Sequence, residues 1–465
     1  MSYTALEQAV DNQREDFIRT LQDWIAIPSL KADALPDAPF GAPMRRMLDL
    51  SLADAKRLGF APRDIDGYAA DMEIGEGEET IAILAHLDVV PAGEGWKTPP
   101  FEGVIADGRM YGRGTSDDKG PAVAAMFAMK AVREAGIPLK KRVRLILGCD
   151  EESGWADMAY YAAHIGLPKV GFSPDAVFPL INTEKGILRM DLHADLPEEG
   201  DWPVPIYSIH AGQRPNVIPS VAEAEIGGDR EAVRHQIEGF ARRTGYSIDV
   251  ETLDNGHLRV LCHGTGGHAA MPELGQNAAA RLLQLLRALE AGGGSHAAVE
   301  LLAQAIGNDT DGTGFGIAGS DSPSGALTIN LGILNLADGA CDLTLDIRHP
   351  VLFDAKQLVS FIGQRVAEAG FVVAAHRASA PHHVPESNPI VQSLLSVYQR
   401  VTGLAPYTVA IGGGTYARAL ELGVAFGSLL PGEEDVAHQA NEYMSLETLM
   451  LNVRVFAHAI VALAG

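Results

Sequence analysis

The chain has 465 residues, of which 47% are apolar and 21% charged. That is the balance of a folded globular protein, with more chain than one ordinary core uses. Its 36 basic and 60 acidic residues leave a formal charge of −24, which repels nucleic acid and anionic membrane and excludes both as expected partners. Cys149, Cys262 and Cys341 are widely scattered, without CxxC or Cys/His spacing, so neither a disulfide framework nor a cysteine metal site is expected.

In chain order, the first 30 residues lack the basic start and apolar core of a signal peptide. Leu6, Val10, Phe17, Leu21 and Trp24 fall near helical spacing and predict one amphipathic helix. No uninterrupted apolar stretch of about 18 residues occurs, so no membrane span and a cytoplasmic location are expected. Residues 80–84 and 143–147 read as strands and 121–135 as a buried helix. This strand–helix–strand order predicts an α/β layer with a largely parallel sheet.

From residue 186 the texture changes. Strands are predicted at 187–192, 222–226 and 258–261, and helices at 231–244 and 277–289. The run 292–325 is rich in Gly, Ser and Asp and predicts long loops. Residues 327–333 and 341–347 read as a hairpin turning near Asp338-Gly339. Beyond Pro381 the alternation returns, with helices at 389–402 and 446–464 around a tight loop at 412–415. The expected architecture is α/β in two domains: a mostly parallel-sheet catalytic domain, residues 1–185 and 382–465, with an inserted α+β lid domain, residues 186–381.

Five short segments carry candidate chemistry. His86-Leu87-Asp88 closes an apolar strand, where side chains two apart share a face. A metal-bound imidazole needs its second nitrogen anchored, and Asp88 is a suitable anchor. Gly112–Gly120 places Asp117 and Asp118 before a buried helix, a costly position unless something positive binds them. Helix capping by acidic residues explains the same pair equally well. Asp150-Glu151-Glu152-Ser153-Gly154 follows a strand and offers two carboxylates that can point to different sides. Ser173-Pro174-Asp175 and His438 in a C-terminal polar loop complete the set, and each alone reads as an ordinary turn residue.

Together, HLDVVPAGEGW, GRGTSDDKGP, DEESGW, SPDA and IGGGTYAR resemble the M20 family of metallopeptidases, most of all its PepV-type (Xaa-His or carnosine-type) dipeptidases. The resemblance covers nearly the whole chain. It implies that His86 and Asp175 hold one metal, Glu152 and His438 the other, and that Asp117 bridges them through a cis peptide to Asp118. It assigns Asp88 to orienting His86 and Glu151 to the general base. Asn216, His268 and Arg348 are the implied substrate-binding residues, with His268 donating to the oxyanion and Arg348 clamping a terminal carboxylate. Two His and three carboxylates fit two Zn²⁺ per subunit, with Mn²⁺ or Co²⁺ as substitutes.

An Asp at position 175 resembles dipeptidase and aminopeptidase members, whereas Glu is usual in deacylases. The enlarged lid is similar to that of members that replace a partner's lid, which implies a monomer. The expected function is hydrolysis of short peptides, dipeptides including the β-alanyl type. An N-acyl-amino-acid amidohydrolase or desuccinylase, and a non-catalytic binding protein on the same fold, are the alternatives.

Overall fold

The computed structural model describes residues 3–196, 202–307 and 309–465. The chain divides into two compact units. The first holds Met1–Asn182, Val384–Val409 and Gly414–Gly465, and the second Thr183–His383 and Ala410–Gly413.

The first unit is built on a sheet in the order Arg63–Ile65, Ala69–Ile74, Arg142–Gly148, Thr80–His86, Val170–Ser173 and Leu422–Ala425, with Ile181 paired beside Ala425. Four of these strands, from Arg142–Gly148 to Leu422–Ala425, run parallel. Antiparallel strands flank them. Parallel strands covered on both faces read as continuous apolar runs rather than alternating ones. Ile81 to Ala85 are accordingly all buried.

The helix Lys119–Glu134 is buried almost all round, as a helix inside a core must be. It packs on the Thr80–His86 strand and on the helix Leu446–Ala464. The latter is the one described helix long and apolar enough to cross a membrane. It is a core helix here, packed also against Pro389–Thr402.

The single N-terminal helix expected from sequence is two, Thr4–Asp11 and Arg14–Ile25. The amide of Asn12 donates to Gln8 O at 3.0 Å, that of Gln13 to Val10 O at 3.2 Å, and the buried Gln13 side chain to Ala9 O at 2.7 Å. The break resets the helical phase, so that Leu6, Val10, Phe17, Leu21 and Trp24 all reach one core.

The second unit carries an eight-stranded antiparallel sheet. Its order is Ile248–Thr252, Leu258–His263, Val221–Ile226, Ile206–Ala211, Thr328–Ala337, Ala340–His349, Gly186–Asp195 and Val372–Ser379. Buried and less buried residues alternate along Gly186–Asp195, the mark of a sheet with one face on a core. The hairpin turns at Asp338-Gly339, whose φ values are 51° and 79°. Positive φ at both central residues is what a tight turn between twisted strands requires.

The 292–325 run is not all loop. It contains the helix His296–Ala305, whose Ala298, Val299, Leu301 and Leu302 are buried. Its glycine- and serine-rich flanks hide a ten-residue amphipathic stretch that pays its ordering entropy through that burial.

Candidate metal centre

Three adjacent parallel strands deliver the candidate residues to one end of the sheet. His86 ends Thr80–His86, Glu151 and Glu152 follow Arg142–Gly148, and Asp175 follows Val170–Ser173. The carboxyl ends of parallel strands are where open α/β sheets form their sites. Asp117 sits just before the helix Lys119–Glu134, joined to Asp118 by a cis peptide. His438 lies on the loop before Tyr443–Ser445, with φ 62°, a left-handed conformation rare outside glycine.

These side chains meet as two groups that share one carboxylate. His86, Asp117 and Asp175 form one, and Asp117, Glu152 and His438 the other, with ligand atoms in each within 4.8 Å of one another. Asp117 uses a different oxygen toward each group. Its Oδ1 is 2.9 Å from His86 Nε2 and its Oδ2 is 2.9 Å from His438 Nε2. Asp175 Oδ2 lies 3.5 Å from His86 Nε2, and Glu152 Oε1 lies 3.0 Å from His438 Nε2.

The surroundings of His86 differ in detail from the expected pairing. Its Nδ1 is 3.0 Å from the backbone carbonyl of Asp88 and 3.4 Å from the Asp88 carboxylate. That carboxylate instead accepts from the backbone N–H groups of Glu151 and Glu152, both at 3.1 Å. Asp88 therefore fixes the imidazole through its main chain and the acidic loop through its side chain.

The residues fit divalent cations. His86 Nε2 and Asp117 Oδ1 are buried and have no hydrogen-bond partner of acceptable geometry among the described residues. Such atoms are costly unless something else satisfies them. Two imidazoles and three carboxylates are the donor set of zinc, manganese or cobalt sites.

Crowded charge drives the titration of the cluster. Burial raises the Glu151 carboxyl well above the usual carboxylate range, with Asp175, Glu152 and Asp117 adding to it against His86. Burial and then Asp117 push Glu152 up to about 7 despite His438. Burial and Asp117 also raise Asp175. Asp117 alone falls, because His438 and His86 overcome its burial. Burial opposes the charge on both imidazoles, yet the carboxylates raise His438 to about 11 and His86 well above its ordinary value. A carboxylate cluster that needs protons to stay neutral is one that added cations stabilise.

Two further residues position this site: Asp157, which lies outside the five motif segments, and Tyr416, which lies within IGGGTYAR with no role expected from sequence. Asp157 Oδ2 accepts from the backbone of Cys149 at 2.6 Å and Asp150 at 2.9 Å, and from the hydroxyl of Tyr416. Tyr416 stands edge-on to His86, with ring centroids 6.1 Å apart. Gly148 makes room for this packing, since a Cβ there would meet Tyr416 Oη at 2.4 Å.

The three substrate-binding candidates lie in the second unit. Asn216 O accepts from Ala269 N at 3.0 Å beside the Val217–His268 strand pair. The His268 ring is exposed, and its Nδ1 accepts from Ala270 N at 3.2 Å. Arg348 is 2% exposed and already pairs with Asp346 through Nε at 2.6 Å and Nη2 at 3.1 Å, while Nη1 donates to Gly412 O at 2.7 Å. Only two of its five N–H groups remain for any further partner.

A parallel α/β sheet with two cation-type groups sharing a carboxylate at its strand ends defines a candidate dinuclear hydrolase. The chain belongs to peptidase family M20/M25/M40, whose profile matches residues 82–462, and it is a peptide hydrolase. It is 37% identical over 463 residues to a Bacillus subtilis (strain 168) protein named "Putative dipeptidase YtjP", covering 98% of this chain and 99% of that one. Its fold is similar to two solved structures. One is the dipeptidase Dug1p from Saccharomyces cerevisiae, with TM-score 0.59, 15% identity, and 99% and 98% of the two chains covered. The other is human carnosine dipeptidase 1, with TM-score 0.56, 14% identity and 99% of each chain covered.

Proposed function

We propose that the chain is a dinuclear metal-dependent dipeptidase. The observation that carries the reading is the position of Asp117, with one oxygen 2.9 Å from each of two imidazoles that belong to different ligand groups. A carboxylate so placed would be shared by both ligand groups, each of which could hold a divalent cation. His86 and Asp175 would hold one ion and Glu152 and His438 the other, with zinc favoured by the donor set. Bound there, the ions supply Lewis acidity, lowering the pKa of a water and drawing electron density from the amide carbonyl.

The protein's own groups do the rest. Glu151 takes the proton of the attacking water as oxygen joins the carbonyl carbon. It then gives a proton to the leaving amine as the C–N bond breaks. Asp88 keeps the Glu151 backbone in place. We assign substrate binding to Asn216, His268 and Arg348, and substrates of about two residues, including β-alanyl dipeptides, to an enzyme that works as a monomer.

The test is a metal-reconstituted assay over a dipeptide panel, set against N-acetyl and N-succinyl amino acids and tetrapeptides. Hydrolysis confined to dipeptides supports the reading. Preferential cleavage of N-acyl amino acids would replace it with an amidohydrolase, and efficient tetrapeptide cleavage would remove the length limit. A dimer mass by light scattering would overturn the monomer assignment.

A further inference from the structure

Four residues beyond His438 the chain buries a carboxylate that the mechanism above does not use. Glu442 is 0% exposed. Its Oε1 accepts from three backbone N–H groups of one loop: Gly114 at 3.0 Å, Ser116 at 2.8 Å and Asp117 at 3.3 Å. Its Oε2 is 2.6 Å from Nη1 of Arg113, itself 1% exposed. The Glu442 carbonyl accepts from Gly112 N at 2.9 Å. Beyond it, Tyr443–Ser445 pairs antiparallel with Arg109–Tyr111.

The same junction reaches a third loop. Arg113 Nη2 points at the carbonyls of Pro91 and Ala92, at 3.3 and 3.4 Å. Asn441 accepts from Lys97 N at 2.6 Å and donates to Gly95 O at 3.2 Å. The segments carrying Asp88, Asp117 and His438 are thus tied together by Arg113, Asn441 and Glu442, none of which offers an atom to either ligand group.

A buried ion pair is weak evidence for stability, since its desolvation cost can match its Coulombic gain. One carboxylate that collects three amides of a single loop and one guanidinium has a narrower use. It fixes where that loop stands. We propose that Glu442, paired with Arg113, is a positioning residue that sets Asp117 against His438. It thereby preforms the Asp117–Glu152–His438 group before any ion arrives. The His86–Asp117–Asp175 group takes its other two members from strand ends that Glu442 does not touch, so the effect is unequal. This rests on the dinuclear reading above.

The experiment titrates metal-free wild type and Glu442→Gln with zinc ions by calorimetry, alongside kcat on a dipeptide at rising zinc. Glutamine keeps the shape but turns an amide NH₂ toward Arg113 or the loop N–H groups. Wild type is expected to bind two ions. In Glu442→Gln the ion held through His438 should bind about 10–100-fold more weakly, and the ion held through His86, which shares only Asp117 with the displaced loop, should lose less. Excess zinc should restore kcat, and Glu442→Asp should lie between.

A variant with both affinities unchanged and only a lower melting temperature, or with both reduced equally, would overturn the proposal. Wild type binding fewer than two ions would instead sink the dinuclear reading, and this inference with it. Should Glu442→Gln not fold, hydrogen exchange on metal-free wild type decides. Protected amides at Gly114 and Ser116 support a preformed loop, and exchange at open-loop rates refutes it.

Discussion

Replacing Asp88 by Asn separates the two ways in which that residue could serve the site. Asp88 is 2% exposed, and its two oxygens each accept one backbone N–H, from Glu151 and Glu152, at 3.1 Å. Asparagine is nearly isosteric but brings one acceptor oxygen, so its NH₂ must face the other amide, donor against donor. An unpaired buried N–H costs about 1–3 kcal/mol. The His86 ring keeps its 3.0 Å contact to the residue-88 carbonyl, so its orientation should survive. The damage should fall on the loop bearing Glu151 and Glu152.

Residues supporting metal ligands typically cost about 10–100-fold in affinity or activity when changed. That corresponds to about 1.4–2.7 kcal/mol, the same scale as the lost amide. The assay is kcat/KM on a dipeptide at saturating zinc, with zinc affinity measured by calorimetry. A variant within twofold of wild type in both would refute the reasoning. Selective loss of the ion bound through His86 would refute the division of labour between the Asp88 main chain and side chain.

Glu151→Ala should lower kcat by about 10²–10⁴-fold while leaving zinc stoichiometry at its wild-type value. Retained turnover would remove Glu151 as the base. Metal-free protein should hold a proton on His438, whose folded pKa is raised from 6.5 to about 11 after its neighbours outweigh burial. The stability from that proton is full below 6.5 and is lost as pH rises toward 11, damped because the side chain is 52% exposed. Ligating imidazoles must be neutral, so zinc binding at pH 7 should release protons and tighten with pH. Identical binding heats in buffers of different ionisation enthalpy would refute this. Gly171→Ala should destabilise by about 1–3 kcal/mol, because its Cβ would stand 2.2 Å from the carbonyl oxygen of Ala82 on the paired strand. An unchanged unfolding midpoint would count against that packing.

The sequence exposes what depends on neighbours in the chain. His86, Glu151 and Glu152 can be picked out because each closes or follows a short apolar run, and such runs become parallel strands with aligned carboxyl ends, whereas Asp175 reads alone as a turn residue and is marked only by the family resemblance. Asp338-Gly339 announces its hairpin by its own backbone preferences. Local pattern fails where the deciding partner is remote. The pause at residues 12–13 carries no Gly or Pro, and the helix phase is reset by where the core lies. In the His296–Ala305 segment, burial of six apolar side chains outweighs the loop-like composition around it.

Glu442 shows the limit most plainly. Within ANEYM it is one more acidic residue among 60, and nothing at helical or strand spacing separates it from a solvated one. Its role appears only when a loop 325 to 329 residues away folds its amides around one carboxylate oxygen and its guanidinium against the other. The ligands of such a site are readable because the chemistry restricts them to a few residue types, and three of the ligands here stand at strand ends. The groups that hold the ligands at the right separation are restricted by geometry alone. Geometry assembled from segments this far apart exists only in the folded chain, so a test of the site must perturb Glu442 and Asp88 as well as the residues that would touch metal.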